Sequence, residues 1–568
     1  MLDLNQETIK KFQVLFNNKQ YSTLEFEINS LGDTKAQNPK VIMLYALSKT
    51  LNPMSKKDDL LEASQLYEIV YSVSKKKVPR DPNYLNPIIN MIFISIKTKM
   101  YNSVLPLVLE AFEDNPKNER MIEGLAIINA KLFNYSNAVK YYQLLFKINP
   151  KRISGRRIFL ACLNYVSGIT QEYYLSECLK HSEILEKNLI NEVAPIRNKN
   201  EIIKVAFLSS DFRKHSVSFF LEDLLLKFDK KKIETFAIST LDGDKQDTMT
   251  ETIKNLADQW HNVSDKSDIE IISLIKSLNI DILIDLNGLT AGNKINVIKK
   301  RCAPIQISWL GYNNSTGIKN IDYLIADKNL IKKSEENLYT EKILFLPKIW
   351  NALSKPKNIP QINLLSKVSS TSFSYGSFNS FSKVSEDVID VWSKILRDTN
   401  SQIYLKDPEP YTQSLTKENI IEKFLQRKVS RSKILFLNNQ QDRNDHLKLY
   451  NKIDLALDTF PFPGVTTSCE AALMAVPVLT MKGYNFNSRC GESININLKM
   501  DDFIAKNKND YVDKAIYWQH NLKILQKLKQ NLRDKVLSSP VFDTESFTKD
   551  FTNVLRDIYL KINTTPRS

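Results

Sequence analysis

The chain is poor in the residues that cross-link, ligate metals or turn tightly: its 568 residues include five cysteines, five histidines and 13 glycines. Cys162, Cys178, Cys302, Cys469 and Cys490 show no CxxC spacing, and no Cys/His group has zinc-finger spacing. A disulfide framework and a structural zinc are therefore excluded, and a reducing compartment fits best. No GxGxxG or GxxxxGKT run occurs, so neither the dinucleotide fingerprint nor a P-loop is supported. Long apolar runs are missing as well. The greasiest stretch, Ile88 to Ile96, is far below the ~20 residues of a membrane span. The opening MLDLNQETIKKF lacks the basic and apolar regions of a signal peptide, so a cytoplasmic protein with no membrane span is expected.

What is present is ordinary for a soluble globular chain: 42% hydrophobic and 25% charged residues, which excludes general disorder. At about 150 residues per domain the length implies three to four domains. The net charge of +15, from 79 Lys and Arg against 64 Asp and Glu, suits an anionic partner. Lysines nevertheless spread in runs such as Lys75-Lys76-Lys77 and Lys230-Lys231-Lys232, as on a solvated surface. No aromatic-basic motif accompanies them, so nucleic acid is not an expected partner.

The N-terminal third repeats. Asp81-Pro82, Asn115-Pro116 and Asn149-Pro150 follow one another at 34 residues, as do Tyr101 and Tyr135, which is the tetratricopeptide period. Ala138 provides a small residue at a helix crossing, and Tyr142, Leu145 and Phe146 form a stripe at helical spacing. Asn38-Pro39, 43 residues before Pro82, breaks the period. Residues 1–190 thus read as a degenerate tetratricopeptide-like helical array, of the kind that presents a concave surface to a protein or peptide.

Beyond KNLINEVAPIRNKNE the pattern changes to short β-branched runs alternating with loops and helical stretches, first IIKVAFLSSDF to EKILFLP and then TSFSYGSFN to PVLTMKG. This alternation predicts two doubly wound α/β domains, at 200–355 and 370–560, joined through the Ser354 to Ser372 segment. Eight glycines fall near the predicted C-terminal strand ends, where open α/β sheets bind ligands.

Three segments could carry chemistry. In LDTFPFPGVTTSCEAALMAVPVLTM, Thr466, Thr467 and Ser468 stand where a helix N-cap is expected, a natural cradle for a diphosphate, with Glu470 in the first turn. In SSDFRKHSVSFFLEDLL, His215 lies on the loop after the first strand of its domain. In YGSFNSFSKVSEDVIDVW, Lys383 precedes a helix and could neutralise an anionic leaving group. Of the five histidines, His215 and His446 fall on loops facing the expected cleft. Asp242-Gly243-Asp244 reads as a polar turn rather than a metal site.

DFRKHSVSFFLE, IDILIDLNGLTAGN, APIQISWLGYNNSTG, GSFNSFSKVS, TTSCEAALMAVPV and NSRCGES occur in this order. Together they closely resemble the O-linked N-acetylglucosamine transferase and SPINDLY family, glycosyltransferase family 41, over about residues 200–560. The resemblance implies a GT-B fold, two Rossmann-like domains facing a cleft, and an inverting transfer of a sugar from a nucleotide diphosphate to Ser or Thr of a protein, without a metal or other cofactor. It implies N-acetylglucosamine from a UDP donor, with fucose from a GDP donor or a catalytically inactive scaffold as alternatives. His215 matches the family's active-site histidine and Lys383 the lysine that stabilises the departing diphosphate. Thr466 and Thr467 match the phosphate-holding pair, Glu470 the acidic residue on the ribose, and His446 a histidine near the base and ribose. Arg443 lies where the family places a basic residue. Leu289 and Ser380 depart from the polar and amide residues of relatives, Ser380 remaining on the donor side. The repeat array is the implied docking element for the acceptor polypeptide.

Overall fold

The computed structural model describes residues 6–32, 38–76, 83–186, 201–362, 373–406, 413–440 and 442–564. Asp81-Pro82 and positions 363–372 of the expected linker lie outside them. Two compact units result, Met1–Gly155 and Arg156–Ser568.

The first unit is an array of helices running from Gln6–Asn17 to Tyr135–Ile148. Tyr67, Ile88, Met91, Val104, Leu125 and Ile128 are buried in one shared core. The period has a simple cause. Asn115 and Asn149 are the C-caps of Tyr101–Asp114 and Tyr135–Ile148, and the proline after each lacks the N–H needed to continue the helix. Asn38-Pro39 does the opposite: the Asn38 side chain accepts from Lys40 N and Pro39 opens a helix, which is why it falls out of register. Ala138, Tyr142, Leu145 and Phe146 are all buried. Gly155 closes the unit at φ +83°, where an added Cβ would stand 2.6 Å from the Tyr142 ring.

The sequence reading carries this array to residue 190, but helices Arg156–Leu163 and Gln171–Glu186 belong to the second unit. Their polar side chains explain it. Asn164 Nδ2 donates to the Tyr312 hydroxyl at 3.0 Å, Gln171 Nε2 to Asn314 Oδ1 at 2.9 Å, and Asn485 Nδ2 to Gln171 Oε1 at 3.1 Å. Buried amides of this kind need such partners.

The rest of the second unit is a GT-B fold of two all-parallel sheets. The first comprises β1 (Ile203–Ser209), β2 (Ile233–Ser239), β3 (Gln259–Asn262), β4 (Ile282–Asp285), β5 (Ile305–Ser308), β6 (Tyr323–Asp327) and β7 (Lys342–Leu346), in the order β3-β2-β1-β4-β5-β6-β7. The second comprises β8 (Phe373–Ser377), β9 (Ser401–Lys406), β10 (Ile434–Leu437), β11 (Leu455–Leu457), β12 (Val478–Met481) and β13 (Ile504–Ala505), in the order β10-β9-β8-β11-β12-β13. In these sheets β4, β5, β8 and β11 are buried at every position, as strands of parallel sheets covered on both faces are. Strand order reverses between β1 and β4 in one lobe and between β8 and β11 in the other. Loops leaving such a switch point diverge and open a crevice. The final helix, Thr544–Thr564, returns to the first lobe, where Phe551 packs 4.7 Å from Trp309 and Thr544 Oγ1 donates to Asp223 at 2.7 Å. No helix among the described residues is long and apolar enough to cross a membrane.

Replacing Gln171 by Ala removes a buried amide that touches both lobes, leaving partners unpaired at about 1–3 kcal/mol each. A lowered denaturant midpoint in the full chain is expected, and an unchanged one would refute this account of the helical pair.

Candidate functional site

A cavity of about 770 Å³ is walled by both lobes. His215, Phe219 and Glu222 enter it from the first lobe, Thr466, Thr467 and Glu470 from the second. His215, Phe219 and Glu222 are spaced i, i+4 and i+7 and therefore share one face of helix Ser216–Lys227.

The second lobe contributes the loop after β11, which is organised by one buried carboxylate. Asp458 is 2% exposed and accepts from Asn379 Nδ2 at 2.9 Å, Thr459 N at 2.9 Å, Gly464 N at 2.7 Å and Thr480 Oγ1 at 2.8 Å. Burial raises its pKa despite these donors. Gly464 is required by space, since a Cβ there would lie 2.3 Å from Thr467 Oγ1 and 2.7 Å from Asn379 Oδ1. Asn379 Oδ1 in turn accepts from Thr467 Oγ1 at 2.7 Å.

The helix that follows is Thr466–Leu473, and its N-cap is Val465 rather than a threonine. Val465 cannot accept a hydrogen bond, and no side chain caps this end. Thr466 and Thr467 are the first two helical residues, so their hydroxyls and the orphan N–H groups stand together at the cavity wall. Glu470 follows one turn further in than the sequence spacing suggests. It is 3% exposed, with Arg443 Nε at 3.2 Å from one oxygen and His446 Nε2 at 3.2 Å from the other. Burial alone would raise its pKa, but His446, Arg443 and Lys406 hold it low, so it stays ionised.

His446 lies inside the short helix Arg443–Lys448, not on a loop. It sits between Phe378 and Tyr450, at ring-centroid distances of 6.1 and 5.6 Å, with a buried Nδ1 that has no partner. Arg443 reaches across the cleft to place its guanidinium 4.0 Å from the centroid of Phe219, and its Nη2 is buried and unpartnered. These two idle polar atoms beside an ionised carboxylate suit hydroxyl and carbonyl groups of a bound ligand.

Lys383 is the exception among the expected site residues: it does not line the cavity. Its Nζ donates to Pro463 O at 2.8 Å and lies 4.2 Å from the centroid of Phe462. Burial pushes its pKa down to about 8, against the opposing pull of Asp458. Ser380 lines the cavity and caps the turn Phe381–Lys383 by accepting from Ser382 N at 3.4 Å.

On the first lobe His215 is the N-cap of its helix, its Nδ1 accepting from Val217 N at 3.4 Å and lying 4.0 Å from Asp211 Oδ2. Burial lowers its pKa, with Asp211 opposing and Arg213 assisting. Asn287, after β4, ties the two switch-point loops together by donating to Ser210 Oγ at 2.9 Å and Asp211 Oδ2 at 3.1 Å. Leu289, which departs from the polar residue of relatives, is buried at 2% exposure and is a packing residue. Asp242 pairs with Lys245 on a 3-10 turn after β2, and neither Asp242 nor Asp244 lines the cavity.

Sequence reasoning missed Asn379, Lys406 and Glu222. Lys406 ends β9 at the cavity, where burial lowers its pKa and Glu470 opposes the shift. A cation closing a strand at the sheet's C-terminal edge was the available signal for Lys406. For Glu222 it was the seven-residue spacing from His215. Burial, with Asp223 beside it, raises the Glu222 pKa.

The family model of glycosyl transferase family 41 matches residues 167–363 and 362–551. A probable UDP-N-acetylglucosamine–peptide N-acetylglucosaminyltransferase SPINDLY of Hordeum vulgare is 29% identical over 360 residues, covering 62% of this chain and 38% of the relative. Its counterpart in Oryza sativa is 28% identical over 434 residues, covering 74% and 46%. The chain thus spans less than half the length of these curated relatives. Among solved structures, a mutant of the O-GlcNAc transferase of Thermobaculum terrenum superposes with a TM-score of 0.76 at 22% identity, covering 92% of this chain and 98% of that one, a likeness of fold.

Asp458→Asn replaces an acceptor by an NH₂ group facing N–H and O–H donors, at about 1–3 kcal/mol for each donor left unpaired. Its denaturant midpoint should fall, and a variant that matches the wild type would refute the organising role of this carboxylate.

Proposed function

Because the chain belongs to glycosyltransferase family 41, we propose that it is an inverting, metal-independent transferase that moves N-acetylglucosamine from UDP-N-acetylglucosamine to Ser or Thr hydroxyls of proteins. The names of the SPINDLY relatives support the donor and the acceptor class. One observation carries the reading: an uncapped helix start bearing Thr466 and Thr467 meets, on the same loop, a lysine held against Pro463 O.

Cleaving a glycosyl–phosphate bond leaves positive charge at the anomeric carbon and negative charge on the diphosphate. In this reading the orphan N–H groups, Thr466 and Thr467 hold the phosphates, and Lys383 supplies a cation as the leaving group charges. Glu470 accepts from the ribose hydroxyls, and His446 and Arg443 contact the nucleoside. Ser380 lies alongside the donor. A neutral His215 that accepts at Nδ1 carries its proton on Nε2. It therefore orients the acceptor or the sugar as a donor, and becomes a base only if that cap bond breaks. The helical array recruits the acceptor polypeptide.

Incubating the full chain with radiolabelled nucleotide sugars and a lysate should label protein from UDP-N-acetylglucosamine, in EDTA as well as without it. Labelling from GDP-fucose alone would overturn the donor, labelling from neither would favour a scaffold, and loss in EDTA would overturn metal independence.

Lys383→Ala should lower kcat by about 10²-fold or more with little change in donor affinity, because its partner charge appears mainly in the transition state. A change in KM alone would contradict the role. The ammonium form is the active one, so kcat/KM should fall as pH rises through about 8, and Lys383→Arg should move that decline upward.

A further inference from the structure

Between helices Arg156–Leu163 and Gln171–Glu186 the chain makes a short turn that grips both lobes. Asn164 is fixed to the first lobe by Tyr312 at 3.0 Å and Asn314 at 2.8 Å, while its carbonyl accepts from Asn487 Nδ2 of the second lobe at 3.4 Å. Tyr165 follows. Its ring lies 4.8 Å from that of Phe462 at an interplanar angle of 50°. Phe462 turns to the Lys383 ammonium, 4.2 Å from its ring centroid. Tyr165, Phe462 and Lys383 thus form one stack that ends on Pro463 O.

We propose that Tyr165 and Phe462 are positioning residues for Lys383, holding its ammonium against Pro463 O of the phosphate loop so that the cation is fixed before the donor arrives. This rests on the role given to Lys383 above. A lysine side chain has many rotamers, and fixing one beforehand removes that entropy from the reaction step. The turn lies outside the segments that carry the chemistry, yet through Phe462 it brings the helical pair to the lysine. The Phe462 ring, with Tyr165 against it, packs on one side of the ammonium. The titratable groups facing Lys383 are Asp458 after β11 and the Cys490 thiol of helix Cys490–Asn497, with Asp327 of β6 facing Cys490. The hydroxyl of Tyr165 stays protonated, because burial pushes its pKa up.

The test uses the full chain, reading UDP release at saturating UDP-N-acetylglucosamine with lysate protein as acceptor, and UDP affinity by calorimetry. Tyr165→Ala and Phe462→Ala should each cut turnover about tenfold or more while UDP affinity stays within about threefold. In both, the alkaline decline of kcat/KM should move up by about one pH unit as water reaches the ammonium. Tyr165→Phe, which keeps the stack, should recover most of the rate. Wild-type turnover and pH profile in the two alanine variants, with Lys383→Ala crippled, would overturn this proposal alone. An unimpaired Lys383→Ala would overturn the leaving-group role and this proposal with it. UDP affinity falling in step with turnover in both alanine variants would mark a collapsed loop and would also overturn it.

Discussion

The second lobe depends on a carboxylate that water does not reach. Asp458 ends β11, and its four hydrogen bonds fold residues 458–464 back on themselves while fixing Asn379 from the neighbouring switch-point loop. An unpaired charge at such depth would be prohibitive, and the donors together with the nearby Lys383 ammonium make it tolerable. Two glycines testify to how closely the surroundings approach: a Cβ at Gly464 would strike Thr467 and Asn379, and one at Gly491 would stand 2.7 Å from Asp458 Oδ2. The orphan helix N-terminus is therefore presented on a rigid support.

Topology supplies the other half of the site. Each lobe reverses strand order once, and the loops that part there are those after β1 and β4 and those after β8 and β11. One buried amide pins each pair: Asn287 joins the first two loops, and Asn379 the second two. The same device thus recurs on opposite walls of one cavity, shaping a hydrogen-bonding His215 on one side and a cationic, hydroxyl-rich cradle on the other. Arg443, resting on Phe219, is a direct contact between the walls.

Much of this was legible in the chain. Buried parallel strands demand β-branched runs, and those runs marked the two sheets. A 34-residue period marked the helical array because proline terminates a helix wherever it follows the C-cap. The same dipeptide misleads at Asn38-Pro39, where proline opens a helix instead, and only the hydrogen bonds of Asn38 tell the two uses apart. Helices Arg156–Leu163 and Gln171–Glu186 carry helical patterns like those before them; their allegiance is set by Asn164 and Gln171 meeting partners more than 140 residues away. The candidate residues other than Lys383 line one cavity, at the strand ends where the crevice was expected. The direction of Lys383 was not foretold, since a long flexible side chain is aimed by tertiary neighbours such as Phe462 and Pro463. Leu289 likewise looked like a missing polar contact until packing showed it buried.

The resting state of Lys383 bears on how a cation can assist a reaction. Around a fully hydrated ammonium, water screens much of the extra attraction that a growing negative charge would give. Here burial has brought the ammonium down to about 8, a cost that a new negative charge nearby relieves. In the proposed reaction that charge is greatest as the leaving diphosphate separates, which is when relief is largest. Thr466, Thr467 and the helix start differ from it: their donors are fixed and neutral, suited to holding the phosphates throughout. In the proposed reaction, binding and acceleration are thereby divided between the hydroxyls of Thr466 and Thr467 and the cation held at Pro463 O.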